Sequence, residues 1–96
     1  MRLKYRAKAG SFESSDILIL SEPADKGTGR DVRINSAVML QFGDSIKEAI
    51  TNILDKYEID DVKLTAQDKG ALIPTISARV ETAIKRSLGL QEGTLK

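Results

Sequence analysis

The hydrophobic period switches along this chain, and the switch constrains its fold more than any total does. Residues 2–9 alternate strictly, with Arg2, Lys4, Arg6 and Lys8 on one face and Leu3, Tyr5, Ala7 and Ala9 on the other. Such a period of two predicts a half-buried strand, broken at Gly10-Ser11. Residues 15–21 predict a second strand, whose run Ile17-Leu18-Ile19-Leu20 is apolar on both faces, as in a central strand. The turn-forming stretch Glu22-Pro23-Ala24-Asp25-Lys26-Gly27-Thr28-Gly29 follows. Arg30 to Asn35 alternates again and buries Val32 and Ile34, so an antiparallel hairpin of the second and third strands is expected across that loop.

The period then lengthens. Phe42, Ile46, Ala49, Ile50, Ile53, Leu54 and Tyr57 recur at three- and four-residue spacings, the stripe of an amphipathic helix over 44–57. Gly43-Asp44-Ser45 is its expected start, Ser45 and Glu48 have the spacing of a capping box, and residues 36–41 supply a short helical turn before it. Asp61 to Gln67 alternates with Val62, Leu64 and Ala66 inward. A second helix over 74–88 carries Ile76, Val80, Ala83, Ile84 and Leu88 on its apolar side, with Ile73 just before it. Pro74 is tolerated in its first turn, Glu81 and Lys85 form an i, i+4 pair, and Gly89 suits its end. The order β-β-β-α-β-α predicts an α+β, two-layer sandwich: a mainly antiparallel four-stranded sheet with two helices on one face. The 96 residues are expected to form a single domain, 1–96, with the tail after Gly89 flexible.

Composition narrows the chemistry. The chain contains no Cys and no His. Thiolate ligands, a protein-borne thiol nucleophile and a Ser-His-Asp arrangement are therefore excluded, and zinc lacks its usual ligands. Any acid or base would have to be a strongly shifted carboxylate or Lys, so independent catalysis is not expected, and no metal site is expected either. The 15 basic and 14 acidic side chains give a formal net charge of +1, with no overall pull toward nucleic acid or membrane. The charged start Met1 to Arg6 and the short aliphatic run Ile17–Leu20 predict neither a secretory signal nor a membrane span, so the expected location is the cytoplasm.

Ala9-Gly10-Ser11-Phe12-Glu13-Ser14-Ser15-Asp16 crowds three serines and two acids into the first strand connection. Gly, Ser and Asp are ordinary turn formers, so an unremarkable turn is one reading. The other is a serine presented on an exposed loop for covalent modification by a second enzyme, since no neighbouring base could activate the hydroxyl. The basic stripe Arg2, Lys4, Arg6, Lys8 is likewise either a solvated strand face or a cationic surface for phosphates or a partner. Gly27-Thr28-Gly29 lacks the rest of a dinucleotide fingerprint and reads as a loop.

The segment Gly10-Ser11-Phe12-Glu13-Ser14-Ser15-Asp16 resembles the attachment motif of the citrate lyase acyl carrier proteins, the gamma subunits of that enzyme. Further similarity lies at Asn35-Ser36-Ala37-Val38, Gln41-Phe42-Gly43-Asp44-Ser45-Ile46, Asp68-Lys69-Gly70-Ala71-Leu72 and Ser77-Ala78-Arg79-Val80-Glu81. The chain departs from the family at Ile73-Pro74 and at the bulky Phe12. The resemblance implies a non-catalytic carrier. Its prosthetic group would be 2'-(5''-phosphoribosyl)-3'-dephospho-CoA, joined by a phosphodiester to the matching serine, Ser14, with Glu13, Ser15 and Asp16 as the loop recognised by the prosthetic-group transferase. It also implies acetyl and citryl thioesters on the terminal thiol, exchanged by the alpha subunit and cleaved to oxaloacetate by the beta subunit. The cofactor would supply the sulfur and the partners the acid-base groups that this chain lacks. Asp44-Ser45-Ile46 superficially resembles the signature of conventional phosphopantetheine carriers, but those are all-helical, and helix capping accounts for Ser45. The alternatives are a carrier of a malonate decarboxylase-type complex and a small non-enzymatic binding module.

Overall fold

A computed structural model describes residues 1–90. Its elements run β1 (Ala7–Gly10), β2 (Ile17–Pro23), β3 (Arg30–Ser36), α1 (Met39–Lys56), β4 (Val62–Asp68) and α2 (Ile73–Leu88). The four strands form one sheet in the order β1-β2-β4-β3. One face of that sheet is apolar because alternate residues on each strand share it: Ala9 stands beside Ile19, Ile19 beside Ala66, and Ala66 beside Ile34. Both helices cover this face, and Ile17, Ile19, Ile46, Ile50, Leu54, Leu64, Ile76 and Ile84 are fully buried between the layers. Burying each such side chain is worth about 1.5–3 kcal/mol. The expected two-layer α+β architecture and element order are both present.

The pairing differs from the expected hairpin. Strand β2 pairs antiparallel with β1 and β4, while β3 lies parallel to β4 at the sheet edge, so the sheet is mixed. The two inner strands are those with a fully buried apolar set, Ile17 and Ile19 on one and Val62, Leu64 and Ala66 on the other. Strand β3 brings only the half-buried Val32 and Ile34 to the core, which suits an edge. Its parallel pairing requires a long crossover, and α1 is that crossover. The 24–29 connection is held by Asp61, whose Oδ1 accepts the Gly27 and Gly29 amides at 3.0 and 2.9 Å.

Three boundaries also shift. Strand β1 begins at Ala7 instead of Arg2, because the Lys4 and Tyr5 amides donate to the Ser87 carbonyl at 2.8 and 3.0 Å, satisfying one of the open carbonyls at the end of α2. Leu3 is buried by this, whereas Tyr5, expected inward, is exposed. Helix α1 begins at Met39 instead of residue 44. Ser36 Oγ accepts the Val38 amide at 3.1 Å, which turns the chain from β3 straight into the helix and leaves Ser45 and Glu48 exposed within it, with no capping box. Phe42 projects outward there rather than joining the apolar stripe. Strand β2 begins at Ile17, because Ser15 has a φ of 65° and cannot lie in a strand.

Helix α2 follows expectation, with Pro74 in its first turn and the left-handed Gly89 at its end. Glu81 accepts Lys56 Nζ at 2.7 Å and the Tyr57 hydroxyl at 2.6 Å, so it ties α2 to α1, while Lys85 on its own helix adds a smaller electrostatic attraction. The expectation of a flexible tail falls chiefly on residues 91–96, outside the described residues. Among the described residues no helix is long and apolar enough to cross a membrane.

Candidate functional site

The topology gathers several chain turns at one end of the sheet. Strands β1, β3 and β4 end there, β2 starts there, and both helices begin there. Neither helix carries a side-chain cap or an acidic residue in its first turn, so this end presents open amides and the positive ends of two helix dipoles. The connection at residues 11–16 forms its outer corner.

Gly10 makes the corner possible. Its φ is 89°, and a Cβ there would lie 1.8 Å from the Ile17 carbonyl oxygen, so only glycine fits. The turn beyond it is bonded from within. Ser11 Oγ donates to Asp16 Oδ2 at 2.7 Å and accepts the Glu13 amide at 3.3 Å. The Ile17 amide donates to Asp16 Oδ1 at 2.7 Å, and the Arg79 guanidinium reaches the same carboxylate from α2. The Ser11 hydroxyl, the Ile17 amide and Arg79 together hold the Asp16 carboxyl down at about 2. Two backbone bonds, from the Ser15 amide to the Lys69 carbonyl and from the Lys69 amide to the Asp16 carbonyl, each 2.9 Å, staple the turn to the β4–α2 connection.

These bonds sort the candidate residues. Ser11 serves the turn. Asp16 is committed to Ser11, Ile17 and Arg79, so its first role is to hold the loop. Glu13, Ser14 and Ser15 are exposed. Ser15 does not open a strand, since its left-handed backbone sits in the turn. Ser14 occupies the tip, and among the described residues its hydroxyl has no hydrogen-bond partner. An exposed, unengaged hydroxyl on a rigidly held turn fits a covalently attached group, because both the modifying enzyme and the attached group have room.

The basic stripe does not converge on Ser14. Gly10 is the β1 residue next to the turn, and Lys8 and Arg6 lie progressively further from it. Arg6 pairs with Glu22 at 3.1 Å, and Arg2 bonds the Ala24 carbonyl. The cation that reaches the turn is Arg79, and Lys69 adjoins it through its backbone. Both come from distant parts of the chain and fall within segments of family resemblance, which was the available signal. Ser45 is exposed along α1, and the helix-opening position that a conventional carrier serine needs falls instead at Met39. Among the described residues no group of three or more His, Cys, Asp or Glu side chains could hold a metal ion.

Beside the turn lies a feature that sequence reasoning missed, a cleft of about 200 Å³. The first turns of α1 and α2 and the β4–α2 connection line it, through Val38, Phe42, Ile46, Ala71, Leu72 and Ile73, with Asp68 and Gly70 adjoining. Leu72 is 74% exposed and Phe42 50%.

Comparison with known proteins accords with this arrangement. The sequence model for the malonate decarboxylase delta subunit family matches residues 4–87. A citrate lyase acyl carrier protein of Latilactobacillus sakei is 44% identical over 92 residues, covering 96% of this chain and 89% of the relative. Those of Treponema denticola and Edwardsiella ictaluri are 39% and 36% identical, covering 91% and 94% of this chain and 97% and 91% of theirs. A chain in the crystal structure of a Pseudomonas malonate decarboxylase hetero-tetramer in complex with malonate superposes with a TM-score of 0.74 at 18% identity, over 90% of this chain and 87% of that one. That last likeness is one of fold. The sequence relatives decide the family, and their names describe carriers, not independent enzymes: this chain belongs to the citrate lyase acyl carrier proteins.

Proposed function

We propose that this protein is the acyl carrier subunit of a citrate lyase complex in the cytoplasm, with its prosthetic group attached through a phosphodiester at Ser14. The observation that carries the reading is the position of Ser14, exposed at the tip of a turn that Ser11, Asp16 and Arg79 hold in place. The group fits the site chemically, since a free hydroxyl is the one atom the linkage needs from this chain. When bound, the phosphoribosyl-dephospho-CoA group supplies the thiol on which acyl groups ride. The chain's own residues do the rest: the Gly10 corner, the Asp16–Arg79 pair and the Lys69 staple hold the attachment point still, so motion of the turn adds little to the reach of the tethered thiol at a partner's active site. Lys69, exposed beside the turn, is placed to offset the phosphodiester charge. Glu13 and Ser15, also exposed, are the residues a transferase would meet first, and Asp16 presents the loop to it. The partners in this reading are the alpha acyl-transferring subunit, the beta lyase subunit and the prosthetic-group transferase.

The solved malonate decarboxylase neighbour and the family description supply a second reading, a carrier of a malonate decarboxylase-type complex. Identities of 36–44% to named citrate lyase carriers favour the first. Reconstitution separates the two. The purified chain, modified by the transferase and checked by intact mass, should restore oxaloacetate formation from citrate when added to citrate lyase alpha and beta subunits. Restoration of malonate decarboxylation alone would assign the chain to the other complex.

A further inference from the structure

The cleft between the starts of α1 and α2 has the size and lining of a site for one ring system. At about 200 Å³ it is smaller than the roughly 300–1,000 Å³ sites that bury drug-sized ligands. Ile46 is fully buried at the cleft, while Phe42, Leu72 and Ile73 stay exposed on it, so a group of apolar side chains is left without cover around one concave site. Asp68 is its one ionisable lining residue. Both oxygens of that carboxylate act as acceptors, Oδ2 toward the Ser36 hydroxyl at 2.7 Å and Oδ1 toward the Ala71 amide at 2.9 Å, and a carboxylate has capacity for further donors.

The cleft and the Ser14 turn share a wall. Lys69, which bonds the backbone of Ser15 and Asp16, sits between Asp68 and Gly70, and both of those line the cleft. A larger depression of about 400 Å³ lies at Arg6, Ala7, Lys8, Leu20, Ser21 and Glu22, away from the turn along β1 and β2. Proximity and chemistry therefore single out the smaller one.

We propose that this cleft holds the adenine ring of the group carried on Ser14, an inference that rests on the carrier reading above. In that group one phosphodiester and one ribose separate the serine from the adenosine, whereas the thiol lies beyond the pyrophosphate and the pantetheine. The adenosine is thus the part held close to the turn. Its flat faces suit the apolar wall of Phe42, Leu72 and Ile73, since stacking on an aromatic side chain needs only a π-face. Its amino edge is a donor, and Asp68 offers acceptors. Docking the base anchors the root of the arm and leaves the pantetheine end free, so the thiol searches a smaller volume and its effective concentration at partner sites rises.

The test uses isotope-labelled protein carrying an unlabelled group, with intact mass confirming one group on Ser14. Nuclear Overhauser contacts are expected from the adenine ring protons to the Phe42 ring and to the Leu72 and Ile73 methyls. In Phe42→Ser and Leu72→Ser variants, still modified at Ser14 and native in the rest of their backbone spectra, those contacts should weaken several-fold. On protein with the group confirmed, adenine protons with free-nucleotide shifts and no protein contacts would overturn the inference while leaving the carrier reading intact. Contacts from the pantetheine or acyl end to the cleft, or from adenine to the Arg6–Leu20 depression, would overturn it equally. If Ser14 accepts no group at all, the carrier reading fails and the inference falls with it.

Discussion

Arg79 and Asp16, 63 residues apart, meet edge to edge: Arg79 Nε donates to Asp16 Oδ1 at 3.1 Å and Nη2 to Oδ2 at 3.4 Å. The pair fastens the Ser14 turn to α2, and two more donors, Ser11 and the Ile17 amide, complete the shell around the carboxylate. The Asp16 side chain is only 17% exposed, so the arrangement is screened less than a surface ion pair.

The first prediction concerns acid. The Asp16 carboxyl is lowered from 3.8 to about 2, chiefly by the Ser11 hydroxyl and the Ile17 amide, then by Arg79. A depressed carboxylate contributes stability that is fully present above its unfolded value and is lost as pH falls through its folded value. That loss falls between roughly pH 4 and pH 2. Asp16→Asn should cost on the order of 1 kcal/mol at neutral pH once solvent screening is allowed for, and the gap from wild type should narrow toward pH 2. Denaturant melts at a series of pH values read this directly. A gap that stays constant with pH would show that Asp16 ionisation is not coupled to folding.

A second prediction follows from Gly10. Any side chain there meets the Ile17 carbonyl oxygen at 1.8 Å in a backbone conformation that L residues rarely adopt. Gly10→Ala should destabilise by upward of about 3 kcal/mol or leave the chain unfolded. Gly27→Ala is the control, because its φ is also positive but nothing lies within 4 Å of the added carbon. It should cost only about 1 kcal/mol. Similar losses at the two positions would mean that φ alone, and not the close approach, governs Gly10.

Gly43 is the opposite case. It is a buried glycine inside α1 with ordinary helical backbone, and an added Cβ would lie 2.9 Å from Met39 Cε and 3.2 Å from its Sδ. Met39 is partly exposed, and its unbranched thioether can swing aside. Replacing a helical glycine by alanine gains about 0.8–1.0 kcal/mol where nothing resists. Gly43→Ala should therefore stabilise the protein by about 0.5 kcal/mol in thermal or denaturant melts, rising toward the full value when combined with Met39→Ala. A destabilised Gly43→Ala protein in the Met39→Ala background would place the obstruction elsewhere.

Gly43 also shows where the sequence misled. Gly43-Asp44-Ser45 has the composition of a helix start, and Ser45 with Glu48 has capping-box spacing, yet Ser36 turns the chain earlier and α1 runs through all three. Local signals predicted the elements well wherever one face is buried outright: Val62, Leu64 and Ala66 marked β4, and Ile76, Val80 and Ile84 marked α2. Pairing was less legible. The parallel register of β3 on β4 depends on α1 as a crossover, and no single segment carries that information. The same applies to the site. The turn at residues 11–16 could be read from its Gly and Ser content, but its fastening by Arg79 and Lys69 joins segments far apart in the chain. The cleft is built from residues 38–46 and 68–73, and only the fold brings those together.

The last prediction separates the three serines of the turn. Ser11 Oγ is engaged on both sides, as donor to Asp16 and acceptor from Glu13. Ser15 has a left-handed backbone, and its amide is bonded to Lys69, so its own conformation is dictated by the turn. Ser14 and Ser15 are both exposed, and among the described residues neither hydroxyl has a hydrogen-bond partner, so it is the family resemblance, which falls on Ser14, that chooses between them. With the prosthetic-group transferase and its substrate, Ser14→Ala should keep its unmodified mass while melting like wild type. Ser15→Gly should be modified fully and melt at or slightly above wild type, because glycine relieves the positive φ. Ser11→Ala should also be modified, but more slowly and with stability lower by about 1 kcal/mol, since the loss of its hydroxyl loosens the turn and removes the largest influence on Asp16. Rate and stability moving together in Ser11→Ala, while Ser14→Ala loses modification alone, would distinguish a residue that builds the turn from the one that accepts the group. Modification of Ser14→Ala at wild-type rate would place the acceptor elsewhere.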